Sequence, residues 1–172
     1  MKAERAIRIF GAMAVLGGGA RVVSSFVPWV PDSAWLEAFY LFIDINLLFG
    51  LIGFYFTYGV RLGAAGLAAF LIAASGIALI TGPDGESFGV DIYQTGVMVI
   101  AIGLSGFSIL LLLRRIRPFF PPVCWISSFV IGGLGGPVGF PDQAFAAGGI
   151  LFGLGFLFAG LSVLAGSESR AG

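Results

Sequence analysis

Two ionisable side chains sit inside apolar runs of this sequence, and they are the residues best placed to do chemistry. Asp44 interrupts FYLFIDINLLFG (39–50) together with Asn46, and Arg21 interrupts FGAMAVLGGGARVVSSFV (10–27). A lone aspartate near the middle of a bilayer costs on the order of 2.5 to 3.5 kcal/mol on insertion scales. A guanidinium and a carboxylate that meet recover much of such a cost through charge-assisted hydrogen bonds. With Trp29 and Trp35 taken as interfacial anchors, Arg21 lies roughly 12 Å and Asp44 roughly 13.5 Å below one boundary, at 1.5 Å per helical residue. The expectation is an Arg21–Asp44 pair between adjacent helices, which either binds or gates a polar solute or simply holds the helices together.

Helical periodicity supplies neighbours for that pair. At 100° per residue, Glu37, Tyr40, Asp44, Tyr55 and Tyr58 share a sector of about 60°, while Asn46, Gly50, Gly53 and Thr57 line the opposite face. The second face has the small-residue and amide pattern of close helix packing in membranes. The first needs another explanation. Further along, Asp91, Gln94, Thr95, Met98 and Ser105 form one narrow stripe, and Ser24 and Ser25 accompany Arg21. Together these predict a cleft open to the outer side. Glu37, Asp91 and Gln94 stand near its mouth, Tyr40, Thr95 and Ser105 line it, and Arg21 with Asp44 forms its floor.

The elements that must position these residues are set by composition. Of 172 residues 58% are hydrophobic and only 10% charged, with a mean hydropathy of +1.03. Soluble domains carry about 25% charged residues, so the solvent this chain expects is lipid. Apolar runs of about 20 residues suit a hydrocarbon core of about 30 Å. Six follow one another, at about 6–29, 35–59, 62–81, 92–113, 122–138 and 144–165, forming one integral-membrane domain over 1–172. Backbone groups in lipid must be satisfied internally, and the sequence lacks the short alternating strands of a barrel, so the fold class is an all-α bundle of six transmembrane helices.

Charge placement agrees. Lys2, Arg5, Arg8, Arg61, Arg114, Arg115, Arg117 and Arg170 fall on one side of a six-span layout, and Asp32, Glu37, Asp84, Glu86, Asp91 and Asp142 on the other. The positive-inside rule then puts both termini in the cytoplasm of a multi-pass protein of a plasma membrane, a bacterial inner membrane being the natural setting. The lipid bilayer is the chief partner, with a second copy or a larger membrane assembly as further candidates. A net charge of zero gives no case for nucleic acid. The basic start followed by an apolar stretch reads as a retained first span, because apolar character resumes after Arg21.

Absences narrow the chemistry. The chain has no histidine, which removes most haem, di-iron, zinc-protease and histidine-base mechanisms. There is no GxSxG elbow and no GxxxxGK[ST] phosphate loop. IGGLGGPVG (131–139) follows a helical run, so it reads as a loosened helix end and not as a dinucleotide turn. PDGESFGVD (83–91) reads as a solvated acidic loop, since its spacing matches no calcium-binding pattern. The single cysteine, Cys124, reads as a packed side chain. No metal, cofactor or catalytic residue is expected.

Six spans divide into three and three, and an odd number makes the second half enter the membrane from the opposite side, as in transporters with inverted repeats. PWVPDSAWLEAF and PFFPPVCWISSF, beginning at Pro28 and Pro118, share the pattern PxxPxxxWxxxF at an offset of 90 residues. The polar residues do not repeat: Asp44 aligns with Leu134 and Arg21 with Leu111. The leading functional expectation is permeation or transport of a small polar solute or ion. An accessory or scaffold subunit is the alternative. An enzyme acting on a lipid or isoprenoid, with Glu37 or Asp44 as acid and base, ranks third.

Overall fold

In the computed structural model of the chain, residues 2–28, 30–31, 33–81, 86–87, 89–135, 137 and 139–168 are described. Six α-helices dominate them: α1 (Lys2–Ser24), α2 (Ala34–Tyr58), α3 (Gly63–Ile80), α4 (Ile92–Leu113), α5 (Phe120–Gly135) and α6 (Pro141–Glu168). A 3-10 turn, Gly59–Leu62, joins α2 to α3, and two-residue strands β1 (Glu86–Ser87) and β2 (Val90–Asp91) pair antiparallel before α4. The all-α class therefore stands. Four segments are long and apolar enough to cross a membrane: Ala3–Ser24, Ala34–Ile80, Ile92–Leu113 and Pro141–Gly166. The second is the run of α2, turn and α3, and α5 is apolar but shorter. α1 ends five residues before the expected limit at Trp29, which itself lies outside the described residues along with Asp32, Asp84 and Arg170.

Consecutive helices touch and close into a ring in which α6 returns to α1, and the α1/α2, α3/α4, α5/α6 and α1/α6 pairs run antiparallel. Glycine sets the closest approaches, because only a missing side chain lets helix backbones touch. A Cβ on Gly18 of α1 would stand 2.6 Å from the Gly153 carbonyl oxygen of α6, and one on Gly160 would stand 2.5 Å from that of Gly11. Between α3 and α4, a Cβ on Gly76 would meet the Ile100 amide nitrogen at 2.6 Å. Between α1 and α2, Gly50 faces Ala14 and Gly53 faces Phe10. The Asn46 face of α2 is thus the packing face its residue types predicted.

Charge and ring size divide the bundle along its axis. Exposed Arg5, Arg8, Arg61, Arg114, Arg115 and Arg117 gather at one end, and exposed Glu37, Asp91 and Asp142 at the other. Nearer the basic end the interior is filled by aromatic rings from five helices. Phe54 meets Trp125 edge-on at 5.4 Å and Phe107 at 6.2 Å, Tyr55 stacks on Phe70 at 4.3 Å, and Phe156 lies 5.1 Å from both Trp125 and Phe152. Apolar side chains also cover the outside, including Leu16, Phe56, Leu71, Ile109 and Leu161. In water such a surface would drive aggregation; against acyl chains it is the ordinary surface of a bundle.

Candidate functional site

α1 offers its neighbours a stripe at helical spacing, Phe10, Ala14, Gly17 and Arg21. The first three meet Gly53, Gly50 and Asn46 of α2. Arg21, the fourth, is half-buried in the last turn of α1, where a cation also complements the helix dipole. Its Nη1 donates to Ser24 Oγ at 3.2 Å, and its Nη2 lies 3.4 Å from where a Cβ of Gly149 on α6 would stand. Ser24 and Ser25 both donate to the Arg21 carbonyl oxygen, at 2.8 and 3.2 Å. A Cβ on Gly149 would fall 2.7 Å from Ser25 Oγ, so the bare glycine clears the space that the hydroxyl and the guanidinium occupy. At the preceding residue, buried Ser128 of α5 donates to the Gly148 carbonyl oxygen at 2.7 Å and ties α5 to the same stretch of α6.

Asp44 is at the expected depth but turned the other way. The register of Gly17 on Asn46, Ala14 on Gly50 and Phe10 on Gly53 carries Arg21 level with Phe42 and Ile43, within a turn of Asp44. Yet α2 gives its Asn46 face to α1, and at 100° per residue Asp44 leaves the helix about 160° round from Asn46. That is the side of Leu51 and Tyr55, which faces α3 through the stack on Phe70. Asp44 and Tyr40 are half-buried there, and neither lacks a partner. Arg21 pairs with no carboxylate among the described residues; its guanidinium has gone to α6.

The cleft expected from α4 is not assembled either. The buried face of α4 carries Gly96, Ile100, Gly103, Leu104 and Phe107, and the polar stripe lies opposite, with Met98 63% and neighbouring Ile102 67% exposed. Asp91 and Gln94 are exposed, and Thr95 and Ser105 half-buried, on the outside of the bundle. Their hydrogen bonds explain them locally. Asp91 caps α4 by accepting from the Gln94 amide at 2.8 Å, and Thr95 Oγ1 donates to the Asp91 carbonyl oxygen at 2.7 Å. Glu37, exposed in the first turn of α2, sits where a helix favours negative charge.

Arg21, Ser24 and Ser25 thus gather over Gly149 toward the acidic end, with Phe152 and Phe156 following Gly149 down α6 into the aromatic floor. Nothing in the sequence singles out Gly149 or Ser128 as part of a site, because glycine and serine are generic in membrane helices. Among the described residues, no group of histidine, cysteine, aspartate and glutamate side chains could hold a metal. No family model, no curated protein and no solved structure matches the chain.

Proposed function

We propose that the chain is a six-pass protein of a bacterial inner membrane, with both termini cytoplasmic, that admits a small polar solute or ion from the outer side into a vestibule between α1, α2 and α6. Six passes are supported by the reversal of α2 onto α3 and by the length of α5, whose 16 residues reach about 24 Å at 1.5 Å each. Sidedness rests on the separation of arginines from carboxylates at the two ends. The one observation that carries the functional reading is Arg21: a half-buried guanidinium on the bundle-facing stripe of α1, with two hydroxyls beside it and an aromatic floor beyond it. Intramembrane ionisable groups of this kind mark solute pathways by default. In this reading the rings of Phe54, Phe107, Trp125 and Phe156 close the path toward the basic end.

The inverted repeat makes a definite statement about one register. Under the 90-residue offset the α3/α4 seam is equivalent to the α6/α1 seam, and Gly103 facing Ala73 corresponds to position 13 facing Val163. Val163 in fact faces Gly11, two positions away and so on the opposite side of α1 at 100° per residue, and this register gives the repeat no support. Protein reconstituted in liposomes tests the function: Arg21→Gln is expected to lower flux of the transported solute at least tenfold. Equal flux of every small ion and polar solute through wild type and variant would remove the transport reading.

A scaffold role has its own supporting observation, the outward polar stripe of α4. Polar groups facing out of a membrane bundle are commonly met by a partner helix. Recovery of a stoichiometric partner in mild detergent, lost on Gln94→Leu with Ser105→Leu, would favour it.

A further inference from the structure

Among the described residues Arg21 uses one of its five N–H donors on another side chain, and that partner, Ser24, is a neutral hydroxyl of its own helix. A half-buried guanidinium needs more. Its counter-charge is not supplied by a carboxylate of the described residues: Asp44 leaves α2 on the α3 side, Glu37 is exposed in the first turn of α2, and Asp142 is exposed two turns before Gly149 on α6. A cation that served only the dipole of α1, or that snorkelled to the membrane surface, would leave from the exposed face with Leu16 and Val23. Arg21 instead continues the stripe that packs on α2, and its head lies over Gly149.

We infer that the vestibule binds an oxyanion of the phosphate type, gripped by the Arg21 guanidinium with Ser25 as a second donor. The inference rests on the vestibule reading above and names the class of its ligand. A planar fork of N–H groups fits two oxygens of one phosphate better than a spherical ion. The neighbouring hydroxyl is available: Ser24 and Ser25 share a single carbonyl acceptor, and Ser25 holds it at 3.2 Å against 2.8 Å for Ser24, so Ser25 can turn to a ligand while the carbonyl stays satisfied. Gly149 is what lets the two donors lie side by side, since even a methyl group there would press on Ser25 Oγ and reach the Arg21 guanidinium. The phosphate comes either from an outer-leaflet lipid or from solution.

The test uses the full chain purified in detergent, with two probes. Phosphatidylglycerol is compared with phosphate-free diacylglycerol by native mass spectrometry, and inorganic phosphate is titrated calorimetrically. Wild type is expected to retain phosphatidylglycerol over diacylglycerol, to bind inorganic phosphate, or both; the probe that binds identifies the source. Arg21→Gln and Gly149→Ala should each weaken binding at least tenfold, and Ser25→Ala about threefold to tenfold. Gly149→Ala keeps every donor, and Ser25→Ala removes a bond within one helix, so at least one variant remains folded by circular dichroism and gel filtration. Binding of neither probe to wild type, or equal binding to wild type and all folded variants, overturns the inference. Binding that persists where liposome flux is absent removes the transport reading and leaves the oxyanion site, whereas flux of uncharged solutes without phosphate binding does the reverse.

Discussion

The α3/α4 seam and the α1/α6 seam are built by the same device and end differently. In the first, Gly76 and Gly103 each admit backbone of the opposite helix, from Ile100 and Ala73, while Gly96 admits the Ile80 side chain, and the side chains that meet these glycines are apolar. In the second, Gly18, Gly153 and Gly160 admit backbone in the same way, but the last glycine before the acidic end, Gly149, admits Ser25 Oγ and the Arg21 guanidinium. A spaced run of glycines announces close approach and nothing about what approaches. Where the opposite helix offers backbone, the glycine is a packing residue. Where it offers an arginine, the glycine becomes part of a site.

The largest predicted effect treats the two seams alike. Gly103→Leu and Gly18→Leu each force a side chain into opposing backbone that cannot swing aside, so each should cost about 3 kcal/mol or more, at or beyond the upper end of ordinary overpacking. Unfolding in mixed micelles of increasing SDS content measures this. A Gly103→Leu protein as stable as wild type would mean the seam is held by something other than backbone contact.

The next prediction separates the seams. Gly103→Ala meets backbone and should cost about 1 to 3 kcal/mol, whereas Gly149→Ala meets the ends of two side chains and should cost less, about 1 kcal/mol or under. Equal losses would erase the distinction and return Gly149 to simple packing. A smaller effect belongs to Tyr58→Phe, which removes the 2.9 Å hydrogen bond from Tyr58 Oη to the Ser162 carbonyl oxygen joining α2 to α6. About 0.5 to 1.5 kcal/mol is expected in the same assay.

What was legible follows from the same contrast. Helix content and apolar length follow from composition, and the packing role of Asn46, Gly50 and Gly53 from residue type at 100° spacing. Depth was legible too, since Arg21 and Asp44 lie within a turn of one level. Direction was not, because a helical wheel shows which residues share a face and leaves open which neighbour that face meets. Once the Asn46 face is given to α1, Asp44 must turn toward α3. The α4 stripe misled for a related reason: Asp91 and Thr95 are polar because they finish a helix end, and the wheel cannot distinguish a capping aspartate from a lining one. The two tryptophans of the shared PxxPxxxWxxxF pattern make the point again. Trp35 is 73% exposed beside Phe39 at the rim, and Trp125 is fully buried between Phe54 and Phe156.

Trp125 also gives the smallest prediction. Its indole Nε1 is buried and meets no hydrogen-bond acceptor among the described residues, and the space beside it is left by Gly155. An unsatisfied buried donor costs about 1 to 3 kcal/mol, while the indole ring contributes its packing against Phe54 and Phe156. Trp125→Phe deletes both the orphan N–H and part of the ring, so the two changes oppose one another and the net effect on stability should stay within about 1 kcal/mol. Trp125→Ala deletes the packing as well and should fall in the range of about 3 to 5 kcal/mol for an aromatic removed from a core. If Trp125→Phe proves as costly as Trp125→Ala, the indole N–H has a partner inside the bundle, and the aromatic floor is then a polar contact point instead of the inert base on which the Arg21 vestibule stands.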